Sequence, residues 1–108
     1  MTLALPKPIA DYVAANARLD LDEMLHPFAP DAVVRDDGGE HRGHAELRHW
    51  IQDATIAARA TFTPDASRQE NGQFVVEGLT SGAFKGSPLR FTMRFTLADD
   101  AIRALEIG

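Results

Sequence analysis

Residues 28–51, FAPDAVVRDDGGEHRGHAELRHWI, read as a strand, a tight turn, a short returning strand and a helix, and this order decides the fold. Ala32, Val33 and Val34 are β-formers held between Pro30 and Asp36-Asp37-Gly38-Gly39, residues that tolerate the positive φ of a hairpin turn. Alternation places Ala32, Val34 and Asp36 on one face of the strand and Val33 and Arg35 on the other. A carboxylate thus follows two small apolar groups on one side. Gly43 and His44 precede a helix in which Leu47, Trp50, Ile51, Ala54 and Ala58 recur at helical spacing. Its wet face carries Glu46, Arg48, His49, Gln52 and Asp53.

Upstream, Pro8 suits a first helical turn, with Ile9, Tyr12, Val13 and Ala17 following at helical spacing. Asp20 caps a second helix, with Glu23 three residues on and Leu21, Met24, Leu25 and Phe28 on its buried side. Pro27 and Pro30 end it. Downstream of the third helix the period changes to two. Residues 61–70 form a polar stretch with Pro64, an expected edge strand, and Asn71-Gly72 turns the chain into a strand over 73–84. Phe74, Val76, Thr80 and Phe84 share a face of that strand, with Gly78 and Gly82 marking a bend or a close approach. Leu89, Phe91, Met93, Phe95 and Leu97 then alternate strictly with Arg90, Thr92, Arg94 and Thr96. Asp99-Asp100 leads into a last strand over 101–107.

Helices first and strands afterwards is the α+β pattern, here within a single domain spanning residues 1–108. The chain is 44% hydrophobic and 25% charged, with no apolar run long enough for a membrane span. MTLALPKPIA has no basic region ahead of an apolar run, so no signal peptide is expected. With zero cysteines there is no disulfide framework, thiolate nucleophile or thiolate metal site, and a cytoplasmic location is expected. A formal charge of -5 with scattered cations argues against a nucleic-acid partner. Neither a phosphate-binding glycine loop nor a Gly-x-Ser-x-Gly elbow is present, and no cofactor is expected.

The order of elements resembles the nuclear transport factor 2-like fold, also called the SnoaL-like or cystatin-like cone. The resemblance implies three N-terminal helices packed on a curved antiparallel sheet. Over residues 12–36 the sequence is also similar to the ketosteroid isomerases: Tyr12-Val13-Ala14-Ala15, Asp20-Leu21-Asp22, Phe28-Ala29, and Asp31-Ala32 leading through Val34 to Asp36, without a gap. By this resemblance Asp36 stands where the isomerases carry their general base and Tyr12 where they carry an oxyanion-hole donor. Their second donor, a protonated acid on a late strand, aligns with Met93, which cannot donate. A missing donor typically costs roughly a hundredfold to a thousandfold in rate. The resemblance further implies a homodimer formed through the outer sheet face, here Arg90, Thr92, Arg94 and Thr96.

A carboxylate facing a pocket lined by Phe28, Trp50, Phe91 and Met93 loses hydration and becomes a better base near neutrality. The same Asp36 also suits a purely local role, opening the turn and bonding the amides of Gly38 and Gly39. Tyr12 and Trp50 equally suit core packing. His41 and His44 flank Gly43 at a strand-to-helix junction, not along one helix face, so no metal site is expected; His26 suits a helix end. Two readings follow. One is a cofactor-independent enzyme of the isomerase or cyclase type, acting by proton transfer on an apolar small molecule. The other is a noncatalytic ligand-binding or dimerisation module.

Overall fold

The computed structural model of the chain describes residues 3–108, and the first two residues of the N-terminal stretch expected to carry no signal peptide lie outside them. Helices α1 (Lys7–Ala17) and α2 (Leu21–Leu25) precede the hairpin of β1 (Phe28–Asp36) and β2 (Gly39–Arg42). Helix α3 (Gly43–Ile51) runs into a π turn (Gln52–Ile56), and β3 (Thr61–Glu70), β4 (Gln73–Ser81), β5 (Leu89–Ala98) and β6 (Ala101–Ile107) follow. Of the three helices, α3 comes only after the first hairpin.

The strands form one sheet in the order β2-β1-β6-β5-β4-β3, with β3 at an edge as expected. The sheet is mixed and not wholly antiparallel, because β6 pairs with β1 in parallel. Three reversals after β3 fix the direction of β6. Its side chains would alternate identically in either direction, so the residue pattern carries no trace of this choice. The three two-residue turns match their chemistry: Asp37-Gly38, Asn71-Gly72 and Asp99-Asp100 all have positive φ at both positions.

Other differences from expectation have local causes. Pro30 lies inside β1, where the pairing with β6 shifts register between Phe28 and Val33; a residue without an N–H is tolerated at such an irregularity. β4 stops at Ser81 because the chain then leaves the sheet to meet the π turn, with Ala83 N–H donating to the Ala58 carbonyl at 2.6 Å. Gly78 admits a close crossing by β3: a Cβ there would lie 2.7 Å from the Pro64 Cα, so only glycine fits.

One face of the sheet is covered by the helices. Ile9, Met24, Val34, Leu47, Ile51, Phe95, Ile102 and Leu105 are fully buried between the layers. Each such side chain contributes about 1.5–3 kcal/mol of burial, so this interface carries most of the stability. The opposite face is laced by ion pairs within the chain: Arg90 holds Asp65 through two bonds of 2.8 Å, Arg68 holds Glu70 and Glu77, and Arg94 holds Glu70. These exposed pairs add little individually. Val75 nonetheless remains buried there, flanked in register by Arg68 and Arg94.

Candidate active site

Between α1, α3, the π turn and the inward face of β3–β5 lies a cavity of about 490 Å³. Tyr12, Asp36, Trp50, Phe91 and Met93 all line it. Phe28, expected in the same wall, does not. It is the first residue of β1 and packs behind the site, edge-on to the Tyr12 ring at 5.6 Å. Phe28 shares the buried face of β1 with Ala32 and Val34 but stands at the opposite end of the strand from Asp36, and the sequence pattern gives the face without showing which end meets the cavity.

Asp36 is the last residue of β1 and sits half-buried at the point where the strand ends. Its Oδ2 accepts a hydrogen bond of 3.0 Å from the indole Nε1–H of Trp50. A charge-assisted bond of this kind fixes the carboxylate orientation without neutralising it. Trp50 is itself held by burial on α3 and by the tilted ring of His41, 6.3 Å away. Trp50 therefore fills the core, walls the cavity and positions the acid at once. The third role is invisible in the sequence, because the two residues are fourteen positions apart on different elements.

Tyr12 lies on α1 with only 3% of its surface exposed, edge-on to both Phe28 and Phe95. Burial, and after it the negative charge of Asp36, push its phenol far above the ordinary value. The hydroxyl thus stays protonated and able to donate throughout the neutral range. The consequence for stability has a definite sign: the folded chain resists losing this proton and the unfolded chain does not. Tyr12 therefore contributes stability below about pH 10, the ordinary tyrosine value, and that contribution is lost as pH rises from there toward the folded value. Tyr12 is the sole tyrosine. In an alkaline titration its phenolate absorbance should emerge only together with unfolding; a phenolate band rising near pH 10 in the folded protein would contradict the burial.

Two further polar residues line the cavity that the sequence patterns do not single out. Asn16, one helical turn after Tyr12, is 3% exposed; its Nδ2 donates to the Ala60 carbonyl at 2.9 Å and its Oδ1 accepts from the Phe62 amide at 2.6 Å. It displaces Ala17, expected on the buried stripe, which is exposed. The available signal is an amide four residues after Tyr12 in an otherwise apolar stripe. The other is Thr55. A continuous helix would bury Ala54, but the i→i+5 bonds Ala57 N–H to Gln52 O and Ala60 N–H to Thr55 O rotate the turn and bury Thr55 instead.

The histidines are spread out. His44 Nε2 lies 2.9 Å from the Phe28 carbonyl, His41 lies tilted beside Trp50, and His26 is exposed at the end of α2. Among the described residues, no group of three or more His, Asp or Glu side chains is arranged to hold a metal ion, and no helix is long and apolar enough to cross a membrane.

A family model described as SnoaL-like domain matches residues 9–105 of this sequence. The chain belongs to the SnoaL-like family. Among solved structures, this SnoaL-like chain is similar to a candidate polyketide cyclase from Sinorhizobium meliloti. The two share 36% identity over 96% of this chain and 95% of the other, with a TM-score of 0.90. A Catenulispora acidiphila protein with a ketosteroid isomerase-like fold, solved with trimethylamine, matches at 17% identity over 97% of this chain and 86% of that one, TM-score 0.82. TerC co-crystallised with polyporic acid matches at 18% identity over 94% and 88% of the two chains, TM-score 0.80. The latter two likenesses are of fold alone. No curated protein matches the sequence.

Proposed function

We propose that this SnoaL-like chain binds a flat, largely apolar ring compound in its cavity and moves a proton on it without a cofactor. The observation that carries the reading is one apolar cavity walled by both a carboxylate, fixed by the Trp50 indole, and a phenol that stays protonated. Asp36 removes a proton from a carbon next to a carbonyl. The electron pair moves to the carbonyl oxygen, and the Tyr12 hydroxyl donates to that oxygen as its charge grows. Where a conjugated double bond extends the enolate, Asp36 returns the proton to the far carbon, which is isomerisation; otherwise the enolate carbon attacks a second carbonyl of the same molecule, whose oxygen takes the proton from Asp36, which is cyclisation. A similar candidate polyketide cyclase and a relative in fold solved with polyporic acid, a ring compound, support this substrate class.

Met93, buried in the cavity wall, offers no hydrogen to a second lone pair of the oxyanion. This favours modest turnover, and it also favours the second reading, a module that binds such a ligand without turning it over. One experiment separates them, with β-tetralone as a small carbon acid. The cavity predicts that it changes the fluorescence of Trp50, the sole tryptophan, and that its activated C–H exchanges with deuterated water faster with protein than in buffer alone. A fluorescence change without faster exchange leaves the binding module. No change in either ends both readings.

The exposed face of β5 remains the proposed dimer surface. Its arginines already hold Asp65 and Glu70 of their own chain, so a second copy would meet a neutralised face and not a bare cationic one. Light scattering should give twice the chain mass.

A further inference from the structure

We propose that Thr55 is a specificity-determining residue of the cavity, its hydroxyl bonding a polar oxygen that the ligand carries away from the carbonyl presented to Tyr12 and Asp36. This rests on the ligand class proposed above and specifies it further. Thr55 is 7% exposed and lines the cavity. Among the described residues, Thr80 Oγ1 is the one enclosed side-chain oxygen or nitrogen without a hydrogen-bonding partner. The Thr55 hydroxyl also has no partner among the described residues, so it is not enclosed and keeps access to the cavity. The other polar groups of the wall are accounted for. Both ends of the Asn16 amide are bonded, the Trp50 N–H is held by Asp36, the Thr80 oxygen is out of reach, and Asp37 stands exposed in the turn. Apart from Tyr12 and Asp36, Thr55 is therefore the side chain of the wall with a hydrogen bond left to give.

The backbone turns this residue inward by a device that an α-helix lacks. The bonds from Ala57 N–H to Gln52 O and from Ala60 N–H to Thr55 O, both 2.9 Å, span five residues each, so the turn is wider than an α turn and Thr55 takes the buried side. Such turns are rare and recur at functional sites. The Ala60 carbonyl accepts in turn from Asn16, one helical turn past Tyr12, which ties the Thr55 end of the wall to α1. Trp50, whose indole holds Asp36, precedes Thr55 by about one helical turn, roughly 5 Å along the axis. The hydroxyl thus stands off from the acid and meets the body of a ring ligand, not its reacting carbonyl. A valine would fill the same space, so packing of the wall does not call for the oxygen.

The test titrates β-tetralone, and each of its derivatives with a hydroxyl on the aromatic ring, into the full chain by calorimetry. At least one derivative should bind about threefold to tenfold more tightly than β-tetralone, the net worth of one buried hydrogen bond. Thr55→Val and Thr55→Ala should bring that ratio to about one, and Thr55→Ser should keep it. Thr55→Val should also leave the melting temperature no lower, since no bond within the chain is lost. Three results overturn the role of Thr55 alone: no derivative preferred by the unmodified chain, a ratio that survives in Thr55→Val or is lost in Thr55→Ser, or a melting temperature in Thr55→Val lower by more than about 5 °C. If neither β-tetralone nor any derivative binds, the ligand reading of the cavity falls, and this inference with it.

Discussion

Replacing Asp36 by asparagine is expected to lower proton exchange on β-tetralone by about a hundredfold to ten thousandfold, the usual worth of a positioned general base. The variant is informative because it changes little else. The asparagine Oδ1 can accept the same 3.0 Å bond from the Trp50 indole, so the side chain keeps its orientation while losing its basicity. The melting temperature should remain within a few degrees, since Asp36 is half-buried and its indole bond is retained. The Asp36 charge is the lesser of the two causes that raise the Tyr12 phenol, so the variant should bring that phenol down only part of the way, with burial holding the rest. Unchanged exchange in Asp36→Asn would end the catalytic reading.

The largest expected loss of stability is at Asn16. Asn16→Ala removes the donor to the Ala60 carbonyl and the acceptor for the Phe62 amide, both on buried residues. Each orphaned group costs about 1–3 kcal/mol, so the pair costs about 2–6 kcal/mol, against a total of about 5–15 kcal/mol for an ordinary domain. The expected fall in melting temperature is at least about 10 °C. Asn16→Asp should fare no better: its carboxylate still accepts from Phe62 but faces the Ala60 carbonyl as a second acceptor. A melting temperature within about 2 °C of the parent in Asn16→Ala would show that α1 is held to β3 by apolar packing alone. The same amide lines the cavity wall beside Tyr12, so its loss should also weaken binding of β-tetralone.

Much of the fold follows from local chemistry. The turn pairs at Asp37-Gly38, Asn71-Gly72 and Asp99-Asp100 place the strand ends, and strict alternation from Leu89 to Leu97 fixes which side of β5 is buried. Alternation likewise turns Asp36 to the face of Ala32 and Val34, which is why the acid stands out in the sequence alone. Tyr12 is picked out only by resemblance to the ketosteroid isomerases, since a lone tyrosine on an amphipathic helix is indistinguishable from core. Phe28, expected on the buried side of the second helix and in the cavity wall, is the first residue of β1: it is buried as expected, but at the end of the strand away from Asp36.

What the residues determined by themselves, then, is everything set by neighbours along the chain: turns, periods and the face on which each side chain stands. Only the tertiary structure decided the parallel pairing of β6 with β1, the turn that buries Thr55, the indole bond to Asp36, and the bridge from Asn16 to residues more than forty positions away. It also decided that the Thr80 hydroxyl lies against carbon. Hydrogen-bond satisfaction depends on which atom lies across a gap of about 3 Å, and sequence spacing carries no such information once the partners lie on different elements.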